Sequence, residues 1–120
     1  METLESKWDD VFDRLNELSN LEDGWYDGEG VTPSEDVIDK LKRFYIDIYP
    51  KDYPRPYHYP YPDGGIGIEW QFNGYNISVL IRNNLVIEDM CIFDTKSNDT
   101  VTVSISNIDD IPNILKTYLK

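Results

Sequence analysis

The sequence predicts an α+β domain: two N-terminal helices and a C-terminal helix packed on a four- to five-stranded antiparallel sheet. Three observations predict it. Two stretches with helical apolar spacing fill residues 4–48. A run of period-two segments joined by tight-turn signals fills residues 66–105. A third helical stretch closes the chain. At 120 residues the chain is the size of one domain, so residues 1–120 are read as a single unit with one core.

The first helix is expected from about Leu4 to Ser19, capped by Thr3. Leu4, Trp8, Val11, Phe12, Leu15 and Leu18 mark its buried face. Glu22 to Gly30 holds three glycines and reads as a loop, pinned by Trp25 and Tyr26 packing on the core. The second helix opens with Thr32 as cap, Pro33 at the first helical position and Glu35 closing a capping box. Its stripe is Val37, Ile38, Leu41, Phe44, Tyr45 and Ile48, and Pro50 ends it.

Prolines at 50, 54, 56, 60 and 62 then forbid a helix or a central strand, so this segment is an extended connector or an edge strand. Pro62-Asp63-Gly64-Gly65 is a turn. Ile66, Ile68, Trp70 and Phe72 alternate with polar or small residues, and Asn73-Gly74 is a two-residue hairpin signal. That turn sets Phe72 opposite Tyr75, Trp70 opposite Ile77, Ile68 opposite Val79 and Ile66 opposite Ile81, all eight on one face. Asn83-Asn84 is a second turn, followed by strands over Leu85–Phe93 and Thr100–Ile105. Ser106 or Asn107 starts the last helix, with Pro112 in its first turn and Ile111, Ile114, Leu115 and Leu119 as apolar positions. Trp8, Phe12, Leu41, Trp70, Ile77 and Val79 are expected to be buried together.

Charge narrows the function. Eleven basic and 23 acidic residues give a net charge of −12. Thirteen acids and three bases lie in residues 1–40, so most of the excess is in the first third. Such a field repels nucleic acid and anionic membrane and attracts basic surfaces. No apolar run is long enough to span a membrane, and the first residues lack the pattern of a signal peptide. One cysteine, Cys91, excludes an internal disulfide, and one histidine, His58, excludes most zinc sites. Cys91 reads as a small buried hydrophobe. These features place the protein in a reducing cytoplasm, and no cofactor is expected.

Three segments are candidates for binding. Glu5, Asp9, Asp13 and Glu17 recur every four residues with Asp10 beside them, about 6 Å apart along a helix. Like charges so spaced weaken a helix, and Glu17, Glu22 and Asp23 fall near its negative end. The second helix is the contrast: its acids come first and Lys40, Lys42 and Arg43 follow. The acidic row is either a solvated face or a surface that imitates a phosphate backbone. Asp23, Asp27 and Glu29 in the glycine loop are a weak match to a calcium loop, with Trp25 and Ser34 where ligands are needed. Tyr57, Tyr59 and Tyr61, interleaved with prolines, suit either a protein interface or an aromatic edge that seals the sheet. Glu69 and the Glu88–Asp89 pair are possible catalytic carboxylates, but adjacent strand residues point to opposite faces. No phosphate-binding loop or nucleophile elbow is present, and no enzyme activity is expected.

Trp25-Tyr26-Asp27-Gly28-Glu29-Gly30 with Pro33-Ser34, and Pro60-Tyr61-Pro62-Asp63-Gly64-Gly65-Ile66 with Glu69-Trp70, resemble two segments of a group of small prokaryotic proteins. The likeness covers about residues 20–80 and implies a bacterial or phage source. In size and charge the chain is also similar to acidic inhibitors such as anti-CRISPR, nuclease-inhibitor and immunity proteins. The expected function is a non-enzymatic inhibitor that occludes a basic, nucleic-acid-handling partner, such as a nuclease or CRISPR effector. An antitoxin or immunity protein against a nuclease toxin is the alternative, and a calcium- or small-ligand-binding module is a third. The partner-binding residues expected are Glu5, Asp9, Asp10, Asp13, Glu17, Glu22, Asp23, Asp27, Glu29, Tyr57, Tyr59 and Tyr61.

Overall fold

The computed structural model describes residues 8–48 and 53–119. Glu5, the Thr3 cap, the Leu4 start of the first helix and the Pro50 stop of the second lie outside them. Within them, α1 spans Asp9–Ser19 and α2 spans Glu35–Ile48. Five strands follow: β1 (Tyr57–Pro60), β2 (Ile66–Phe72), β3 (Tyr75–Ile81), β4 (Met90–Asp94) and β5 (Thr100–Val103). A 3-10 turn over Ile108–Asp110 leads into α3 (Ile111–Tyr118). The strands pair antiparallel in chain order, β1-β2-β3-β4-β5, so the expected α+β fold is present with a five-stranded sheet.

The central hairpin follows from alternation and turn chemistry. Phe72 pairs with Tyr75, Trp70 with Ile77, Ile68 with Val79 and Ile66 with Ile81. Asn73 and Gly74 both have positive φ, as a type I′ turn requires. The inner face carries Ile66, Ile68, Trp70, Ile77, Val79 and Ile81, all buried, while Phe72 and Tyr75 at the turn are half-buried. Against this face pack Val11, Leu15 and Leu18 of α1, the stripe of α2, and Ile111 and Leu115 of α3. Trp8, Leu41, Trp70, Ile77 and Val79 are buried together as expected, and Phe12 is only partly covered.

Three expectations are corrected. Ser34, rather than Thr32, caps α2: its Oγ accepts from the Val37 amide at 3.3 Å. Thr32 is committed elsewhere, its hydroxyl donating to the Leu21 carbonyl at 2.6 Å and lying 3.1 Å from Asp23 Oδ1. The fourth strand starts at Met90, rather than Leu85, because the ladder is interrupted. Ser78 faces Cys91, yet Ile81 faces Ile87. Two residues of β3, Val79 and Leu80, therefore stand against three, Glu88, Asp89 and Met90, which is a β-bulge. The last strand ends at Val103 rather than Ile105, whose side chain is buried beyond the strand end. The C-terminal segment begins as expected, with Asn107 Oδ1 accepting from the Asp109 amide and Pro112 in the first turn of α3.

The proline-rich segment is the edge strand β1, and its alternation explains why. Pro54, Pro56, Pro60 and Pro62 occupy even positions, with His58 between them, and Tyr57, Tyr59 and Tyr61 occupy odd ones. The Tyr61 amide donates to Gly65 at 2.9 Å. Odd positions therefore face β2 with their backbone groups, and even positions face away. Proline is tolerated only where no amide is needed, so the even positions suit it. The outward His58 carbonyl accepts from Arg14 Nε and Nη2, each at 3.4 Å. Proline and arginine together close this edge to another strand.

Candidate functional site

α1 places its carboxylates in solvent. Val11, Leu15 and Leu18 turn inward, so Asp9, Asp10, Asp13 and Glu17 are left exposed. The row is partly neutralised. Arg14 pairs with Glu17 at 3.1 Å, and Arg55 pairs with Asp10 at 3.2 Å. Among the described residues, Asp9 and Asp13 have no ion pair. The contrast with α2 is weaker than its sequence suggests. That helix runs on to Ile48, so Lys40, Lys42 and Arg43 sit in its middle and its last turn has no base.

The glycine loop is a small hairpin. Tyr26 and Glu29 exchange backbone hydrogen bonds at 2.7 and 2.9 Å, with Asp27 and Gly28 both at positive φ between them. Trp25 Nε1 donates to the Val31 carbonyl at 3.0 Å, and the indole lies where any side chain on Gly30 would have to go. These contacts hold the loop, while Tyr26 stands in solvent rather than on the core. Asp23 Oδ1 accepts the Thr32 amide at 3.0 Å and contacts the Thr32 hydroxyl. The two bonds hold the Asp23 carboxyl below its usual range, the backbone bond contributing most. Asp23 thus closes the loop, while Glu22, Asp27 and Glu29 are exposed. Among the described residues, no three His, Cys, Asp or Glu converge as metal ligands.

β1 is where the candidates meet. Arg14 and the Asp10–Arg55 pair tie α1 to it, and a groove of about 170 Å³ between α1 and β1 is lined by Asp10, Arg14, Tyr57 and Tyr59. The glycine loop reaches the far end, where the Val31 amide donates to the Pro62 carbonyl at 2.8 Å. The tyrosines do not seal the sheet: Tyr57, Tyr59 and Tyr61 are 57, 45 and 41% exposed on its outer face. His58, which alternates inward from them, is buried, with Nε2 2.5 Å from the Tyr45 hydroxyl. Burial, aided by the Arg14 charge, lowers its pKa to about 3. His58 is therefore neutral and enclosed.

No family model matches this chain. No curated protein matches it in sequence, and no solved structure matches it. No helix among the described residues is long and apolar enough to cross a membrane.

The outer sheet face holds residues that sequence reasoning weighed and set aside. The bulge overturns the expectation that Glu88 and Asp89 point to opposite faces, because both line one groove of about 260 Å³ with Tyr59, Tyr61, Glu69 and Cys91. Cys91 is exposed rather than buried, since Met90 and Ile92 on either side take the inner positions. The Tyr59 phenol is shifted up by burial, by the charge of Glu69 and by a hydrogen bond to it. Glu88 in this lining pairs with Arg82 at 2.8 Å, and Arg82 pairs in turn with Asp63 at 2.7 Å.

Proposed function

We propose that the protein is a non-enzymatic acidic inhibitor that docks on a basic, nucleic-acid-handling protein and occludes it. A phage anti-defence protein, such as an anti-CRISPR acting in the bacterial cytoplasm, is the form this reading takes. The observation that carries it is the adjacency of exposed carboxylates on α1 to exposed tyrosines on β1. Carboxylates give long-range attraction to arginine and lysine, and rigid tyrosines give contact area at low entropic cost. Asp9 and Asp13 supply charge that no base of the described chain neutralises, and Tyr57 and Tyr59 supply the apolar part of the surface. Arg14 and Arg55 hold the two elements in register. An antitoxin or immunity protein would use the same surface against a nuclease toxin.

The test replaces Glu5, Asp9, Asp13 and Glu17 with glutamine. Affinity capture from a bacterial lysate, read by mass spectrometry, compares the variant with wild type. The wild-type protein should retain a basic nucleic-acid-handling protein, lose it as salt rises, and block its nucleic-acid binding when the two are purified. The variant should fold and capture far less. Equal capture by both, without salt dependence, would reject the acidic face as the interface.

A further inference from the structure

The groove on the outer sheet face shares Tyr59 with the α1 surface but is otherwise lined by different residues, and that lining suits one kind of guest. We propose that it binds an arginine side chain presented by an extended basic segment of the partner. This rests on the reading of the partner as a basic protein.

Four observations support the assignment. The lining holds three carboxylates, Glu69, Glu88 and Asp89, and, among the described residues, no base. Glu69 already meets the Gln71 amide at 2.5 Å, and Glu88 meets Arg82, which leaves Asp89 as the carboxylate with no ion pair or hydrogen bond among the described residues. The Tyr61 ring lies against Gly67, where an added Cβ would come within 2.8 Å of the ring. Gly67 thus lets an aromatic ring settle on the sheet beside the acids. The fourth is the bulge. It turns Asp89 to the same side as Glu88, and bulges recur where a sheet re-aims a side chain.

Chemistry selects arginine over lysine. A guanidinium is planar, stacks on a tyrosine face and offers a fork of N–H donors to one carboxylate. A lysine ammonium gains the charge attraction but neither the stack nor the fork. At about 260 Å³ the groove is smaller than a typical small-molecule pocket, which holds roughly 300–1,000 Å³. One side chain is the better fit.

The test titrates two blocked pentapeptides, Gly-Arg-Gly-Arg-Gly and its lysine counterpart, into isotope-labelled protein and reads amide shifts by NMR. The arginine peptide should give saturable shifts at Tyr59, Tyr61, Glu69 and Asp89. It should bind about fivefold more tightly than the lysine peptide, the scale of one exposed cation–π contact. Tyr61→Leu and Gly67→Ala should each remove that preference while the protein melts as a folded domain, and Asp89→Asn should weaken both peptides. A variant with Asp9, Asp13 and Glu17 changed to glutamine should bind the arginine peptide as wild type does. Partner capture can therefore fail through α1 while the groove still binds, and the two readings are judged apart. Equal binding of both peptides, shifts confined to α1, or no saturable binding would each overturn the proposal.

Discussion

The Tyr45 hydroxyl of α2 meets Nε2 of His58 on β1 at 2.5 Å inside the core, with the two rings in an edge-to-face contact. Burial raises the phenol well above its ordinary range, so Tyr45 keeps its proton. The other ring nitrogen, Nδ1, is buried with no hydrogen-bond partner among the described residues. One bond therefore ties the second helix to the edge strand, while burial and the Arg14 charge hold the histidine neutral.

Tyr45→Phe should expose the importance of that bond. The ring packing is kept, but Nε2 is left buried without its hydrogen-bond partner. The expected cost is about 1–3 kcal/mol, read as a lower denaturation midpoint with an unchanged slope. Wild-type stability in this variant would mean that the bond contributes nothing net.

Mild acid should destabilise the protein through His58. The ordinary histidine pKa is 6.5 and the folded value is about 3. As pH falls below 6.5 the unfolded chain takes up a proton and the folded chain does not, so stability is lost. Between pH 7 and 4.5 the loss should be about 2–3 kcal/mol. Relief of the net negative charge acts the other way, so the comparison that matters is with His58→Gln. Denaturation curves of that variant should lack the histidine component over the same window.

Trp70 is fully buried on the inner face, opposite Ile77. Trp70→Ala should cost about 3–5 kcal/mol, a large share of the stability of a small domain. A melting temperature within a degree or two of wild type would contradict the assigned strand faces.

Leu85 has φ of +72° in the turn that follows Arg82, a conformation bulky residues avoid, and its side chain is more than a third exposed. Leu85→Gly should relieve that strain at small loss of burial. The unfolded chain gains freedom in return, so the net gain expected is about 0.5–1 kcal/mol. A destabilised variant would show that Leu85 contributes through packing instead.

Much of this architecture is legible in short stretches of sequence. Asn73-Gly74 specifies a two-residue turn, and that turn sets the register from Phe72–Tyr75 to Ile66–Ile81. The stripe from Val37 to Ile48 specifies the buried face of α2. The alternation of proline and tyrosine over residues 54–62 also carried a signal for which side of β1 faces the sheet, and it can be read from period two alone. The candidate site was less legible. Tyr57, Tyr59 and Tyr61 were found by residue type, but the exposed groove of Glu69, Asp89 and Cys91 was not.

Turn type, strand alternation and helical stripe are local patterns, since each depends on residues a few positions apart. From them the sequence by itself determined the order of elements, the faces of the helices and the register of the central hairpin. Only the tertiary structure decided the rest, because each outcome is a competition between groups distant in sequence. Asp23 takes Thr32, so Ser34 becomes the cap of α2. The step in register between Cys91 and Ile87 puts the extra residue at Glu88–Asp89, and two neighbours turn to one face. Arg14 bonds the His58 carbonyl, so the acidic helix lies beside the tyrosine strand. A pattern of neighbouring residues carries none of these, since hydrogen-bonding and charged groups find their partners only once the chain has brought them together.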